Sequence, residues 1–428
     1  MKTRTSKRLR WNVAIWLAAG LFMTSASGMA AGPIMPDPKA EARHQPQVEE
    51  TANGIPLVNI TAPSSGGVSR NEYETFNVPD KGAILNNSYT LSKTELAGYV
   101  QGNNNMAERP AKIIVNEVTG AGSTSMDGFL EVAGNRADVV IANPNGITVN
   151  GGGFINTGKA FLTTGKPVYD GEDHLQRFDI TGGDILIEGK GLGGKETGSL
   201  AILSRAVKIN AGIWAKDLHI TTGANTVDAK TLEASTIEGK GGRPAFALDT
   251  AAIGGMYAGR ITLVGTEKGL GVNNSGIWSA EDNLTLDWNG DLKNSGTIYS
   301  KGNTDLRASH LENDKTIAAE RNLSAAAKEN IRNQGKLLAG ENMDIYAGKT
   351  LDNAGHAMES GNNLSIETGD AINNAAGTIK SGGSQQIKAG HALTNTEGTL
   401  AADGNINIQT DKMTGAVSYT HLTLPTIA

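Results

Sequence analysis

Apolar and polar residues alternate in short runs along most of this chain, and in its second half these runs return at a fixed spacing. Each repeat begins at an asparagine, passes through a polar corner, and ends in a short alternating strand such as Leu284/Leu286. The asparagines recur every 19 to 21 residues, at Asn274, Asn294, Asn313, Asn333, Asn353, Asn374 and Asn395. Comparable strands follow at Met343/Ile345, Leu364/Ile366 and Ile406/Ile408. The pattern predicts a stack of units that are each about 20 residues long.

A parallel β-helix is the fold that fits this period. Separate globular domains need longer segments, Asn/Gly corners do not suit a coiled coil, and the Leu-x-x-Leu-x-Leu frame of leucine-rich repeats is missing. At ~3.3 Å per residue, about 20 residues give one rung of three short strands and three corners, and successive rungs stack ~4.8 Å apart. The chain is therefore predicted to be an all-β protein built from stacked rungs.

Asparagine and glycine have separate expected roles at the corners. Four units read Asn-x-Gly, with glycines at Gly276, Gly296, Gly335 and Gly355, whereas one unit has Lys315 in the glycine position. We expect these glycines to supply a positive φ without a steric penalty. We expect the asparagines, stacked in register, to hydrogen-bond from side chain to side chain along the axis. Both roles are structural.

Residues 53–250 are rich in strands but less regular. The pairs Ile185/Ile187 and Val207/Ile209 keep the alternation of half-buried strands, with glycine-rich corners between them. We interpret this region as the first, irregular rungs of the same helix, with extra strands over its open end. A cap is needed there because an uncovered rung presents unpaired N–H and C=O groups.

One strand-turn-strand segment is more specific than the rest. The apolar run Val139–Ile141 predicts a strand buried on both faces. Asn143–Gly146 has the residue preferences of a type I turn at all four positions. A strand resumes at Ile147–Val149, and the glycines Gly151–Gly153 lead into the next. By itself this segment predicts only a tight corner.

As a string, the segment from Ala142 to Ile155 resembles the secretion domain of two-partner-secretion exoproteins, a family that includes filamentous haemagglutinins and contact-dependent inhibition proteins. Further matching segments lie at 53–56, 67–71, 82–88, 114–120 and 248–261, so the resemblance covers roughly residues 53–276. It implies a right-handed parallel β-helix with an irregular, capped N-terminal secretion domain. Some members carry a cysteine pair where this chain has Val149 and Gly152, so that disulfide is absent here.

The resemblance also implies partners and a recognition site. It implies that POTRA domains of an outer-membrane β-barrel transporter bind the exported chain in the periplasm, and that the chain winds into a β-helix outside the cell. The residues that it links to secretion are Asn143, Pro144, Asn145 and Gly146, together with Asn86 and Asn87. Two interpretations stay open: these residues only form turns, or the irregular rungs expose a strand edge that adds to a POTRA sheet.

Residues 1–31 predict a signal peptide. Five basic residues precede an apolar stretch at 11–22. This stretch is shorter than the ~20 residues needed to span a bilayer. Gly28 and Ala30 suit the −3 and −1 positions, which predicts export by the Sec machinery and cleavage near Ala30. Removing five positive charges and no negative ones would lower the formal net charge from −6 to −11. Such an acidic chain is not expected to bind nucleic acid.

Composition and spacing offer little catalytic chemistry. The chain has no cysteine and only 5% aromatic residues, which fits a thin β architecture without a disulfide framework. The alternative hypothesis is a secreted β-helix carbohydrate-active enzyme, which needs carboxylates that converge on one face. The acidic residues of the repeats share no common position, and His310, His356 and His391 fall in different positions of different units. No catalytic residue, cofactor or metal site is predicted.

The predicted organisation has four parts. They are the signal peptide at 1–31, the secretion domain at 32–270, the β-helix repeats at 271–413 and an off-pattern tail at 414–428. Because exoproteins of this kind are usually far longer, we expect the chain to be the N-terminal part of an adhesin or a toxin-bearing rod. The missing downstream region would then meet a host or neighbouring cell. Residues 417–428 break the period, lack an Asn/Gly corner and are expected to be foreign to the gene.

Overall fold

The computed structural model describes residues 32–106 and 109–415, in which almost every regular element is a β-strand. Two single-turn 3-10 helices lie at Ala42–His44 and Asn104–Met106. No helix in these two described ranges is long and apolar enough to cross a membrane. The predicted signal peptide, its cleavage position near Ala30 and residues 416–428 of the predicted tail lie outside the described residues.

The first half of the chain contains 25 strands of very unequal length. In chain order they are β1 (Ile34–Pro36), β2 (Gln47–Glu50), β3 (Pro56–Asn59), β4 (Val68–Phe76), β5 (Ala83–Asn87), β6 (Ser92–Thr94), β7 (Gly98–Val100), β8 (Ile113–Val118), β9 (Thr124–Met126), β10 (Phe129–Gly134), β11 (Ala137–Ala142), β12 (Ile147–Val149), β13 (Gly152–Ile155), β14 (Thr157–Thr163), β15 (Lys166–Tyr169), β16 (Leu175–Ile180), β17 (Asp184–Ile187), β18 (Leu192–Gly194), β19 (Ser199–Ser204), β20 (Ala206–Ile209), β21 (Gly212–Thr222), β22 (Asn225–Asp228), β23 (Ala234–Thr236), β24 (Phe246–Thr250) and β25 (Gly255–Gly265).

The second half repeats a unit of three short strands. These strands are β26 (Gly271–Asn274), β27 (Ile277–Ala280), β28 (Leu284–Trp288), β29 (Leu292–Asn294), β30 (Thr297–Ser300), β31 (Thr304–Ala308), β32 (Leu311–Asn313), β33 (Thr316–Ala319), β34 (Leu323–Ala327), β35 (Ile331–Asn333), β36 (Lys336–Ala339), β37 (Met343–Ala347), β38 (Leu351–Asp352), β39 (Ala357–Ser360), β40 (Leu364–Thr368), β41 (Ala371–Asn373), β42 (Thr378–Ser381), β43 (Gln385–Ala389), β44 (Ala392–Asn395), β45 (Thr399–Ala402), β46 (Ile406–Gln409) and β47 (Lys412–Gly415). The predicted boundary between repeats and tail falls inside β47.

Strands stack in parallel to form the sides of a solenoid. One side is a 13-stranded sheet that runs from β9 to β47. The other two sides belong to a single larger sheet, because β21 and β25 are each 11 residues long and turn a corner without interruption. β21 therefore pairs with both β18 and β19. The prediction of an all-β parallel β-helix is confirmed.

The core is a set of apolar columns inside the solenoid. In β30, β33 and β36 the inward residues Ile298, Ile317 and Leu337 lie in register and are fully buried. Each such side chain contributes roughly 1.5–3 kcal/mol of burial energy. Since every rung packs only on its neighbours, the stability of the repeats is close to a sum over adjacent pairs.

The repeated asparagines form the predicted ladder. Each amide nitrogen donates to the amide oxygen of the next asparagine at 2.7–2.8 Å, from Asn274 through to Asn395. The column is buried, with side chains such as that of Asn294 fully inaccessible. Most of these nitrogens donate a second bond to a backbone carbonyl, as Asn313 does to Lys336. The expected structural role of the asparagines is confirmed.

The expected role of the corner glycines is wrong at three of the four Asn-x-Gly corners. Gly355 does have a positive φ, 73°, but Gly276, Gly296 and Gly335 do not. A Cβ at these three positions would lie 2.0–2.2 Å from a carbonyl oxygen of the preceding rung. Glycine is therefore used there because two backbones approach closely, and not because the chain needs a left-handed conformation.

A cap covers the first rung, as expected. β1 pairs antiparallel with β4, and β2 pairs antiparallel with β3, whereas the rungs themselves are parallel. Beneath the cap, the rings of Tyr73 and Phe76 lie 4.8 Å apart and are buried. These added strands supply partners for N–H and C=O groups that would otherwise form a free edge.

A second added sheet lies on the flank of the solenoid and was not predicted. It has four antiparallel strands in the order β15-β16-β22-β23. Its inner face buries Phe178 and Val227 against the outer face of the solenoid, where the Phe161 ring lies 5.9 Å from that of Phe178. This side of the irregular rungs is therefore apolar on both faces, in contrast to the alternating strands of the repeats.

Acid is expected to destabilise the solenoid through His219. Burial lowers the pKa of this imidazole from 6.5 to about 4. Between those values the unfolded chain binds a proton that the folded chain does not, so stability falls as the pH falls from about 6.5 to about 4. The full loss is about 3 kcal/mol. Thermal unfolding across this range should therefore depend less on pH in His219→Gln, whereas His391→Gln, at an exposed position, should leave the dependence unchanged. Equal pH profiles for both variants would contradict this assignment.

Candidate functional site

The Asn143–Gly146 corner joins β11, in the larger sheet, to β12, in the 13-stranded sheet. It follows β11, whose residues Val139, Val140 and Ile141 are fully buried, as predicted. The N–H of Gly146 donates to the carbonyl oxygen of Asn143 at 3.1 Å, which closes the turn. Gly146 has a φ of 112°, a region that favours glycine.

Asn143 is a buried clamp between rungs. Its amide nitrogen donates to the carbonyl oxygen of Gly122 at 2.9 Å and to the hydroxyl of Thr124 at 3.0 Å. Its backbone N–H donates to Thr163 at 2.9 Å on the other side. The side-chain oxygen accepts the N–H of Asn145. One residue therefore ties the preceding rung, the following rung and its own turn together.

Pro144 and Asn145 are the exposed part of the corner. The amide nitrogen of Asn145 donates to the carbonyl oxygen of Gly120 at 2.8 Å, so the side chain lies back along the preceding loop. The flat proline ring and this amide form the outward surface of the turn. Of the four corner residues, these two are accessible to a partner of the folded protein.

Asn86 and Asn87 lie at the end of β5 and are both fully buried. Asn87 donates to the carbonyl oxygens of Ala111 and Asn135, and its side-chain oxygen accepts the N–H of Ala111 at 2.7 Å. Asn86 donates to the side chain of Asn59 at 2.8 Å and to the carbonyl of Gln101. The pair therefore fixes the loop segments around it.

The structure does not merge the two predicted groups into one surface. Within the described ranges no hydrogen bond joins the asparagine pair to the corner. Asn86 and Asn87 anchor loops at the end of the β3–β5–β10 column, whereas Asn143 anchors the loop before β9. Both groups use the same chemistry, in which a buried amide satisfies backbone groups of neighbouring rungs.

The positions of the missing cysteine pair are close in space. An ideal Cβ on Gly152 would lie 3.1 Å from Cγ1 of Val149. In this chain the buried valine packs at that place instead.

A buried ionic cluster beside the cap was not predicted from the sequence. Arg70 contacts Glu72 at 2.9 Å and Glu117 at 3.4 Å, and its guanidinium carbon lies 4.5 Å from the ring centroid of Tyr169. Nδ1 of His44 lies 3.0 Å from Glu72. Burial raises the pKa of Glu117. The cluster joins the cap, the first rungs and the side sheet, and offers no nucleophile.

In the described ranges, no group of three His, Cys, Asp or Glu side chains is placed so that it could hold one metal ion. Several acidic residues of the repeats instead pair with cations one rung away. Glu367 contacts Lys388 at 2.7 Å, and Arg321 contacts Glu341 at 3.5 Å. These carboxylates are solvated members of surface ion pairs and do not converge on a reaction centre.

Two family models match most of the chain. The sequence model described as "TPS secretion domain" matches residues 33–299. The model described as "Haemagglutinin repeat" matches residues 299–356 and 344–410. The matched ranges contain the cap, the irregular rungs and the regular repeats.

Two similar proteins are much longer than this chain. "Toxin CdiA" of Yersinia pestis is 41% identical over 312 residues, which is 67% of this chain and 9% of that protein. "16S rRNA endonuclease CdiA" of Enterobacter cloacae is 40% identical over 327 residues, 71% of this chain and 10% of that protein. The chain therefore spans about a tenth of the length of these relatives.

A solved structure supports the fold. The crystal structure of the filamentous hemagglutinin secretion domain aligns with a TM-score of 0.52 and 24% identity, covering 91% of this chain and 99% of that chain. The resemblance inferred from the sequence is confirmed by these matches. The chain belongs to the family of exoproteins that carry a TPS secretion domain.

Proposed function

We propose that the chain is the secretion-signal and surface-display region of a large exported adhesin or contact-dependent inhibition exoprotein. Sec-dependent export would remove residues 1–31 near Ala30, and the POTRA domains of an outer-membrane β-barrel transporter would then bind residues 32–270 in the periplasm. The chain would cross the outer membrane in extended form and wind into its β-helix at the cell surface. The repeats from 271 to 413 would begin the shaft, and the downstream region would meet the host or neighbouring cell.

The observation that carries this proposal is the match of a secretion-domain family to the capped, irregular end of a solenoid. Each regular strand pairs with the strands one rung before and after it, as β29 does with β26 and β32. A chain built in this way can fold from a completed rung as soon as the next 20 or so residues arrive. Each rung that folds outside the cell would therefore oppose the return of the chain through the transporter. This step would need no ATP in the periplasm.

The proposed role is non-enzymatic. The nuclease named in the relative from Enterobacter cloacae is a property of a protein ten times as long as the aligned segment, so we assign no such activity to residues 32–415. A carbohydrate-active enzyme would need converging carboxylates, whereas several carboxylates of the repeats pair with cations across rungs. We expect no turnover of polysaccharides by the purified chain.

The recognition residues fall into a buried group and an exposed group, and each group supports one of the two interpretations. Asn86, Asn87 and Asn143 are buried, which supports a role in folding the first rungs. Pro144 and Asn145 are exposed, which supports a contact with the transporter. We propose that the exposed pair takes part in recognition and that the buried asparagines act through the stability of the corner.

Asn145→Ala tests this division. Loss of the amide contact to Gly120 is expected to lower the free energy of unfolding by about 1 kcal/mol. We expect POTRA binding and secretion to fall further than that loss of stability accounts for. Secretion, binding to the isolated POTRA domains and the melting temperature should be measured on the same protein.

Asn156→Ala is a control that loses stability outside the recognition residues, because it removes an amide and places alanine at a φ of 54°. Asn156 is also exposed, and its amide nitrogen donates to the carbonyl oxygens of Val132 and Gly134 at 2.7 and 3.0 Å. It lies outside the proposed recognition residues. If both variants lose secretion in proportion to their melting temperatures, the corner has only a structural role and the recognition proposal fails.

A further inference from the structure

We propose that a cationic cavity at one corner of the first rungs binds the phosphate group of an anionic head group or of free phosphate. The cavity is lined by Arg109, Lys112 and Arg136, together with the turn at 63–67. This inference does not depend on the proposed secretion role, because it concerns a different corner from Asn143–Gly146.

The cavity is large enough to admit an oxyanion and carries a matching charge. Its volume is about 450 Å³, and no carboxylate lines it among the residues that the structure describes. Its three cations come from two chain segments that approach each other across neighbouring rungs. Guanidinium groups donate to phosphate as planar forks, and a lysine adds a point charge. A phosphate dianion matches three positive charges better than a single carboxylate does.

Register brings the cations together. Lys112 immediately precedes β8, and Arg136 immediately precedes the neighbouring strand β11. The N–H of Asp138 donates to the carbonyl oxygen of Lys112 at 2.9 Å, which fixes the two segments side by side. The guanidinium of Arg136 donates to the carbonyl oxygen of Thr157 at 2.7 Å, so its position is set by the next rung. Neighbouring rungs lie ~4.8 Å apart, and Lys112 and Arg136 both line the cavity.

This arrangement is the reverse of the charge pattern in the repeats. There, cations and anions occupy neighbouring rungs and pair, as Lys388 does with Glu367 and Lys293 with Glu312. A chain with a formal net charge of −6 has abundant carboxylates for compensation, yet none in the described ranges lines this cavity. Asp138 interacts with Arg136 from outside it, so an external anion would chiefly compensate Arg109 and Lys112.

An adjoining cleft contains both cations and carboxylates. It is lined by Lys112, Arg136 and Lys159 and also by Asp138 and Asp217. One carboxylate oxygen of Asp138 accepts the backbone N–H of Lys159 at 2.7 Å, so that acid is engaged by the main chain. The phosphate group is therefore assigned to the first cavity, where the described lining has no acid.

Isothermal titration of the full chain with inorganic phosphate tests the site directly. The variant Arg109→Gln/Lys112→Gln removes two exposed cations, and it is expected to weaken phosphate binding by about tenfold or more. The control variant Lys315→Gln/Lys336→Gln removes two exposed lysines of the regular rungs and should bind phosphate as the parent does. Circular dichroism should show the same β-rich fold for all three proteins.

Vesicle flotation separates the two sources of the phosphate. Flotation with phosphatidylcholine vesicles that contain phosphatidylglycerol, competed away by inorganic phosphate and lost in R109Q/K112Q, would assign a lipid head group. Titration without flotation would assign free phosphate. The proposal is overturned if the parent chain binds neither, if the control variant weakens binding equally, or if only an acidic peptide such as polyglutamate binds.

Discussion

Replacing Asn333 with alanine is expected to lower the free energy of unfolding of the repeats by about 2–4 kcal/mol. Asn333 lies in the middle of the buried ladder and accepts from Asn313 at 2.8 Å. It donates to Asn353 at 2.7 Å and to the carbonyl oxygen of Ala357 at 3.1 Å. Alanine would remove one of the two partners of the buried Asn313 amide nitrogen and the partner of the buried Asn353 amide oxygen, which costs more than the loss of one exposed bond.

The control for this prediction is Asn362→Ala. Asn362 lies in the same set of repeats but on the exposed surface of a corner. Its replacement should change the free energy of unfolding by less than about 0.5 kcal/mol. Chemical denaturation of the two variants would measure the difference. Equal stabilities would show that the ladder contributes nothing beyond the apolar columns.

Trp278→Ala is expected to lower the free energy of unfolding by about 3–5 kcal/mol. Trp278 lies in β27, is fully buried, and stacks in register between Met256 and Ile298. Its indole N–H donates to the hydroxyl of Thr250 at 3.0 Å. Removing the ring would open a cavity where the irregular rungs meet the regular ones.

Trp214→Ala is the matched control for this cavity. Trp214 lies on the outer surface of β21, is only partly buried, and stacks on Tyr257 with ring centroids 6.1 Å apart. Its replacement should cost about 1 kcal/mol. Thermal unfolding followed by circular dichroism would distinguish the two variants. A loss for W214A as large as that for W278A would contradict the assignment of the core.

The regular half of the fold could be predicted because the spacing of its asparagines determines the register between successive rungs. A buried asparagine that returns every 19 to 21 residues fixes which residues stack, and the ladder from Asn274 to Asn395 follows from that spacing. The reason for the corner glycines could not be read in the same way. Close approach to the preceding rung, as at Gly276, depends on the neighbouring backbone and not on local preference.

The flank and the ionic cluster were missed for a different reason. The side sheet consists of short strands with no period, and its apolar residues, such as Phe178, alternate as they would in any rung. The ionic contacts of the cluster join distant segments: Arg70 contacts Glu117 at 3.4 Å although 47 positions separate them. Local pattern carries no information about such pairs.

The candidate corner was recognised as a turn from its residues, but its clamp role was not. Pro144 and Gly146 have positional turn preferences that a sequence displays. The contacts of Asn143 to Gly122 and Thr163 depend on which rungs lie before and after it. Only the stacked structure shows that one residue, through its side-chain amide and its backbone N–H, joins three segments.

The central claim is that this chain is a module for transporter-dependent secretion, and the most direct measurement is its location in cells with and without a POTRA-containing β-barrel partner. The full chain should be produced in a Gram-negative host, and the fraction outside the outer membrane should be quantified by protease accessibility and in the medium. The account predicts β-rich chain outside the cell only when the transporter is present, with periplasmic retention when it is absent. Equal amounts outside the cell in both strains, or complete retention despite a functional partner, would contradict it.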